Sequence, residues 1–116
     1  MTISLTVALL IVWAHWIGDF ILQSDWHSKN KSKSNFVLAQ HVLLYSIPFA
    51  CLGFFIPVSV AWIAINAVGH FATDFVTSRA TSKLWDNKEV HWFFVVIGLD
   101  QAIHFTTLFI SYSLLL

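Results

Sequence analysis

Seven side chains of types that bind metal ions lie within apolar stretches of this sequence. They are His15, Asp19, His41, His70, Asp74, Asp100 and His104. Six of the seven form His/Asp pairs four residues apart, and such pairs project from one face of a helix. Imidazole and carboxylate ligands together suit zinc, manganese or iron. The pattern therefore predicts a site for one or two divalent ions, with zinc or manganese as the expected metal and all seven side chains as ligands.

The same pairs have a structural interpretation, because His and Asp on one helix face can hydrogen-bond to each other and stabilise a bundle. Three pairs and His41 at similar depths favour a metal or proton-handling site instead, since ionisable groups inside a membrane are costly and indicate function. Within this site, His41 and Asp100 are the candidate catalytic groups. His41 is also a candidate metal ligand.

Four further polar side chains are candidates for binding substrate or for orienting the ligands: Gln23, Gln101, Lys31 and Arg79. Gln23 follows Asp19 by four residues and extends the same helix face. It is equally typical of an amide at the lipid headgroups. Lys31 belongs to a lysine-rich segment that could hold a phosphate beside the site. The same segment is also typical of a topology signal attracted to anionic lipid.

Membrane-spanning helices are the elements that the sequence predicts around these residues. Of 116 residues, 58% are hydrophobic and only 10% are charged, which is too few charges for a water-soluble surface of this size. A spanning helix needs about 20 mostly apolar residues. Four stretches qualify, at about 3–22, 36–56, 58–77 and 90–115. We therefore expect an all-α membrane protein: one domain, residues 1–116, folded as a bundle of four transmembrane helices.

The distribution of basic residues predicts the topology. All six Lys and Arg residues lie in two polar segments, 24–35 and 78–89, which four crossings place on the same side. The positive-inside rule makes that side cytoplasmic. We expect a multi-pass protein of the bacterial inner (cytoplasmic) membrane with both termini outside. Residues 15–20 and 70–75 share the pattern His-x-x-x-Asp-Phe, which indicates two repeated hairpins.

Composition excludes several other classes of protein. The formal net charge is zero, so nothing indicates nucleic-acid binding. Cys51 is the only cysteine, which excludes an intramolecular disulfide and a cysteine-based metal site. Glu89 is the only glutamate, whereas di-iron carboxylate bundles typically use several.

The ordered motifs resemble those of a known family of small bacterial and phage membrane proteins, domain of unknown function 3307. The motifs are His15-x-x-Gly18-Asp19-Phe20-x-Leu22-Gln23, Lys31, His41, His70-x-x-x-Asp74 and Asp100-Gln101-x-x-His104. The resemblance covers nearly the whole chain and implies no activity. More loosely, paired His and Asp on membrane helices look like those of bacterial membrane-bound metal-dependent hydrolases, which is a likeness of fold only.

Three functions compete. The first is a metal-dependent hydrolase that acts from within the lipid bilayer on a phosphoester or lipid-like substrate. The second is a transporter subunit for protons or divalent metal, which four helices could form only as a homo-oligomer. The third is a non-enzymatic membrane accessory module with a structural metal site.

Overall fold

The computed structural model describes residues 2–116, and within them the chain forms five α-helices and no β-strand. The helices are α1 (Leu5–Trp16), α2 (Asp25–Asn30), α3 (Asn35–Cys51), α4 (Val60–Asp86) and α5 (Val90–Leu115). A π-helical turn, Ile17–Ile21, continues α1, and a 3-10 turn, Leu52–Phe54, continues α3. The prediction of an all-helical chain is confirmed.

Serine residues begin four of the five helices. Their hydroxyls accept a hydrogen bond from the backbone N–H three residues later, at 3.1–3.4 Å. Each bond satisfies a donor that the first helical turn leaves free. The four residues are Ser4, Ser24, Ser34 and Ser59. These caps fix the first residues of α1, α2, α3 and α4.

The four long helices pack along one another, and the buried side chains divide into two levels. One level is an apolar core that includes Ile11, Phe49, Trp62 and Leu108, each at most 2% exposed. The indole N–H of Trp62 donates to the Leu108 carbonyl at 3.2 Å, which satisfies the one polar group of that ring. At the other level, nearer the lysine-bearing segments, the His and Asp residues are buried, together with side chains such as Leu38, Val42 and Thr77.

Helix α4 is longer than the apolar stretch that predicts it. The sequence predicts a span over 58–77 and a polar segment over 78–89, whereas the helix continues to Asp86. Residues 78–86 contain no glycine or proline and include good helix formers, so the backbone stays helical after the hydropathy falls. The first polar segment, 24–35, likewise contains α2.

Within residues 2–116, two helices are long and apolar enough to cross a membrane, namely Asn35–Phe54 and Val90–Leu115. They correspond to α3 with its 3-10 turn and to α5. The stretch Leu5–Ile21 is apolar but shorter. By length and composition, two of the four expected spanning helices therefore qualify as able to cross a membrane.

Large apolar side chains cover the outside of the four long helices. Leu5, Leu43, Val68 and Phe94, one from each helix, are 61–75% exposed. A monomer in water rarely exposes continuous apolar surface of this extent.

Gly18 allows the π-helical turn to approach α3 closely. A Cβ atom at Gly18 would lie 2.7 Å from the carbonyl oxygen of Tyr45 and 3.1 Å from its Cα atom. Both are backbone atoms, so they move only if α3 moves. The absence of a side chain at Gly18 therefore sets the distance between Asp19, the next residue, and α3.

We expect Gly18→Ala to destabilise the fold by about 1–3 kcal/mol, because the added methyl group forces two backbones apart. Gly98→Ala is the matched control, since a Cβ there meets nothing within 4 Å. In a helix that substitution is neutral or stabilising. Thermal unfolding of both variants in detergent measures the difference, and equal melting temperatures would contradict the close approach.

Candidate metal centre

Asp19 reaches the interior of the bundle from the π-helical turn. In this turn the N–H of Leu22 donates to the carbonyl of Ile17, five residues earlier, at 2.9 Å. Such turns are rare and occur frequently at functional sites. Because the turn lies against α3, the short side chain of Asp19 reaches His41, with Oδ1 3.0 Å from Nε2.

Four buried side chains from three segments converge on one point, and we call them the four-ligand group: Asp19, His41, His70 and Asp74. The Nε2 atom of His41 lies 3.1 Å from Nε2 of His70 and 3.4 Å from Oδ2 of Asp74. The Nε2 atom of His70 lies 3.4 Å from Oδ1 of Asp19 and 3.2 Å from Oδ2 of Asp74. With the His41–Asp19 contact, five of the six separations among these atoms are 3.0–3.4 Å.

These separations fit a tetrahedral metal site. A tetrahedron with edges of this length has its centre about 2.0 Å from each corner, which is the length of a zinc–nitrogen or zinc–oxygen bond. Hydrogen bonds alone explain the arrangement of these four side chains less well than a bound metal ion does. The two Nε2 atoms of His41 and His70 face each other, so at most one of them can carry a proton between them.

Asp19, Asp100 and His104 form a second cluster, the three-ligand group. The Nε2 atom of His104 lies 3.1 Å from Oδ2 of Asp100 and 3.1 Å from Oδ1 of Asp74. Asp74 thus presents one oxygen to each group, and Asp19 belongs to both. Carboxylates shared in this way place two candidate ion positions side by side.

The cluster carries excess negative charge for its depth. Asp19, Asp74 and Asp100 are at most 8% exposed. The only ammonium among the described residues that bonds to them belongs to Lys31, whose Nζ donates to Oδ2 of Asp74 at 2.9 Å. With neutral imidazoles, two negative charges remain uncompensated, which is costly in a buried site. One divalent cation would neutralise them.

A chain of hydrogen bonds through Gln101, His15 and Tyr45 holds two of the carboxylates of the ligand groups in place. The amide nitrogen of Gln101 donates to Oδ2 of Asp19 and Oδ2 of Asp100, both at 3.0 Å. Its oxygen must then accept from Nε2 of His15, at 2.6 Å. His15 Nδ1 is left to accept from the Tyr45 hydroxyl at 2.9 Å. Carboxylate ligands are commonly oriented by outer partners of this kind.

Ring stacking orients two of the imidazoles. The His70 ring lies 3.8 Å from the Tyr45 ring and 3.9 Å from the His104 ring, between their centroids. Among the described residues, the Nδ1 atoms of His41 and His70 have no hydrogen-bond partner. Packing rather than an outer hydrogen bond therefore holds the His70 ring in place.

An open cavity of about 720 Å³ reaches the carboxylates. The three Asp residues and Gln101 line it. Gln23, Lys29, Lys31 and Lys33 line it as well. The amide oxygen of Gln23 is buried without a partner among the described residues. A ligand in the cavity could therefore contact both the centre and the lysines.

The structure brings together most of the residues that the sequence predicts. Six of the seven predicted ligands belong to the two ligand groups, whereas His15 belongs to neither, because both its ring nitrogens bond to Gln101 and Tyr45. Arg79 lies apart from the cavity: its guanidinium donates to the Phe75 carbonyl at 2.8 Å and to Oδ1 of Asn35 at 3.0 Å.

Two residues outside the predicted ligand and substrate sets contribute to the centre; of these, the sequence places Tyr45 on the polar face of its helix, with plain packing as the alternative, and gives no role to Thr77. The Tyr45 hydroxyl bonds to His15, and the Thr77 hydroxyl donates to Oδ1 of Asp100 at 2.5 Å. Their spacing was the available signal. Tyr45 follows His41 by four residues and Thr77 follows Asp74 by three, so each extends a ligand-bearing helix face.

Comparison with known proteins gives one relationship. Residues 5–116 match the family described as "Protein of unknown function (DUF3307)". No curated protein and no solved structure matches the chain. The matched range includes every residue of the centre and of the cavity, and the family resemblance expected from the sequence is confirmed.

Proposed function

This chain belongs to the DUF3307 family, to which no activity is assigned, and we propose from its centre that it is a membrane-embedded, metal-dependent hydrolase of phosphoesters. The observation that carries the proposal is the spacing of the four-ligand group, which fits a tetrahedral ion site, together with the open cavity that its two carboxylates line. A ligand set alone would suit a structural ion. A ligand set that a substrate can reach suits catalysis.

Embedding of all four long helices in the bilayer is supported by where their polar residues lie. Helix α4 contains Asn66, His70 and Asp74, which lower its average hydropathy but are all buried. Its outward side chains, such as Val68 and Val76, are apolar. Helix α1 with its π-helical turn, Leu5–Ile21, is at the short end of the range of about 17–25 residues for spanning helices.

The basic residues orient this bundle. Lysine and arginine occur only near the cavity end, in α2, in the loop after it, and around the end of α4. The positive-inside rule then places the cavity on the cytoplasmic side and both termini outside.

Cysteine labelling tests this orientation. In a Cys51→Ser background, we expect a membrane-impermeant maleimide to label Thr2→Cys in spheroplasts, because residue 2 lies outside. Asn87→Cys, between α4 and α5, should be labelled only after the membrane is permeabilised. The reversed pattern, or equal labelling of both positions, would contradict the orientation.

The four-ligand group is the primary ion position in this proposal. Protonation of two imidazoles is the other way to neutralise the carboxylates, although not of His70 together with His104, whose rings stack at 3.9 Å and would repel. Nitrogen and oxygen ligands without thiolate suit zinc or manganese. The three-ligand group, with one ligand fewer, is the position for a second, weaker ion.

We expect the purified protein to hold about one zinc or manganese ion per chain after dialysis, because four protein ligands complete a tetrahedral site. His70→Ala and Asp74→Asn each remove one ligand of the four-ligand group and should abolish retention. His91→Ala, an exposed histidine at the start of α5, should leave it unchanged. Elemental analysis gives the answer, and metal retained by all three variants would refute the assignment.

The residues suggest how hydrolysis would proceed. Because four protein ligands fill a tetrahedral site, the ion would supply Lewis acidity toward a phosphate oxygen only by accepting it as a fifth ligand. Asp100 lines the cavity and lies outside the four-ligand group, so it is the better general base, whereas His41 Nε2 is engaged as a ligand. Asp100 takes the proton of a water whose oxygen forms the new bond to phosphorus. The ester P–O bond breaks, and the departing alkoxide receives that proton.

Transport is the weaker alternative because the bundle is closed beyond the centre. The apolar core fills the other level with Ile11, Phe49, Trp62 and Leu108, each at most 2% exposed. The buried polar side chains at that level, Asn66 and Ser111, bond to each other at 2.9 Å and to backbone carbonyls, so their donors are already engaged. The cavity gives the centre access on the lysine side.

Asp100→Asn separates catalysis from ion binding. We expect this variant to keep the ion of the four-ligand group but to lose about 100-fold or more in the hydrolysis rate, since it removes the proton acceptor. Asp86→Asn, which alters a carboxylate elsewhere on the cavity wall, is the control and should retain activity. Phosphate release from a chromogenic aryl phosphate is the measurement. If the metal-loaded wild type releases no more phosphate than His70→Ala, the chain is a structural-metal module and not a hydrolase.

A further inference from the structure

The cavity combines two kinds of wall, and this combination narrows the class of substrate. One part is basic, with Lys29, Lys31 and Lys33 from α2 and the loop after it. Another part is apolar. It consists of Phe20 on the π-helical turn, Trp85 at the end of α4, and Phe93, Phe94 and Ile97 on α5. A free phosphate ion or a soluble nucleotide has no hydrocarbon chain to bury against such an apolar wall, whereas an amphiphile contacts both the basic and the apolar wall.

The apolar wall continues onto the outer surface of the bundle. Phe20 and Phe94 line the cavity, yet 48% and 61% of their surfaces are exposed. They lie on different elements, and the π-helical turn packs mainly against α1 and α3 rather than against α5. The cavity therefore has an apolar rim between the π-helical turn and α5, at the face that the proposed membrane embedding turns toward lipid.

Charge decides which end of an amphiphile lies inside. A divalent ion together with Lys31 balances the three carboxylates of the centre. The remaining charges on the cavity wall are Lys29, Lys33 and Asp86, which leave one net positive charge. An anionic headgroup is favoured there. The unpartnered amide oxygen of Gln23 could accept from a hydroxyl of that headgroup.

From these walls we infer that the substrate is a long-chain amphiphile with a phosphate headgroup, which reaches the centre sideways from the bilayer between the π-helical turn and α5. The phosphate lies between the centre and the two lysines, Lys29 and Lys33. The hydrocarbon chain of the amphiphile passes Phe20 and Phe94. This inference rests on the proposed function for the ion that balances the carboxylates. The cavity volume of about 720 Å³ suits a ligand of this size and far exceeds the needs of a phosphate ion.

Trp85 provides an intrinsic probe of cavity occupancy, since it lines the cavity. The zinc-loaded protein is placed in phosphatidylcholine nanodiscs that contain increasing fractions of either phosphatidic acid or additional phosphatidylcholine, each brominated on its acyl chains. Bromine quenches tryptophan fluorescence on contact. The part of the quenching that Trp85→Phe removes comes from Trp85, which is 57% exposed, so only its excess with phosphatidic acid over phosphatidylcholine reports the cavity. Inorganic phosphate is titrated in a separate arm as the soluble source of the same headgroup chemistry.

We expect Trp85 to be quenched at an at least fivefold lower fraction of brominated phosphatidic acid than of brominated phosphatidylcholine, about the effect of one lysine on an anionic headgroup. Lys29→Met with Lys33→Met should remove this preference. Lys83→Met is the matched control, because Lys83 is exposed on α4 outside the cavity. If Lys83→Met weakens the preference equally, the lysines act only as a surface charge and the inference is wrong.

Two further outcomes overturn the inference. Equal quenching by the two lipids means that the cavity does not select a phosphate monoester headgroup. Displacement of the brominated lipid by inorganic phosphate at comparable concentration means that the acyl chain contributes nothing to binding and that the ligand is a soluble phosphate. Both are read with zinc bound, so they are distinct from failure of the proposed function, which appears as absence of the ion or of phosphate release.

Discussion

Burial of three carboxylates is the constraint on which the rest of this structure depends. Asp19, Asp74 and Asp100 lie inside a bundle whose outer surface is apolar, where an unpaired charge is costly. Each carboxylate therefore has an oxygen held by a protein donor: Gln101 for Asp19, Lys31 for Asp74 and Thr77 for Asp100. Oxygens of all three also face imidazole nitrogens. The donors fix the carboxylates from outside, and the imidazoles complete the sets that a cation would occupy.

The short reach of aspartate explains why the helices must approach so closely. An aspartate has one methylene group, so Asp19 can contact His41 only if its backbone lies against α3. Gly18 makes this possible, since a Cβ there would lie 2.7 Å from the Tyr45 carbonyl oxygen. Tyr45 in turn stacks on His70 and bonds to His15. The contact between Gly18 and Tyr45 thus joins the packing of the bundle to the geometry of the centre.

The helices and the main constellation of the centre are readable from the sequence, because both follow from short periodicities. Spacings of four residues predict that His70 and Asp74, or Asp100 and His104, share a helix face. The exclusion of His15 from the ligand groups is not readable in this way. It shares a spacing of four with Asp19, but the π-helical turn interrupts the α-helical periodicity between them, and Gln101 and Tyr45 occupy both ring nitrogens. Arg79 shows the same limit, since its contact with Asn35 depends on how α4 crosses α3.

Lys31 connects the centre with the cavity. Its ammonium lies 2.9 Å from Oδ2 of Asp74, the same oxygen that belongs to the four-ligand group. A cation at the centre and the ammonium would draw on the same oxygen, so each weakens the hold of the other. Because Lys31 is also part of the cavity wall, an ammonium released from Asp74 remains beside the space in which a phosphate would bind. If the centre binds an ion as proposed, ion binding and recruitment of an anionic ligand would be coupled through this one side chain.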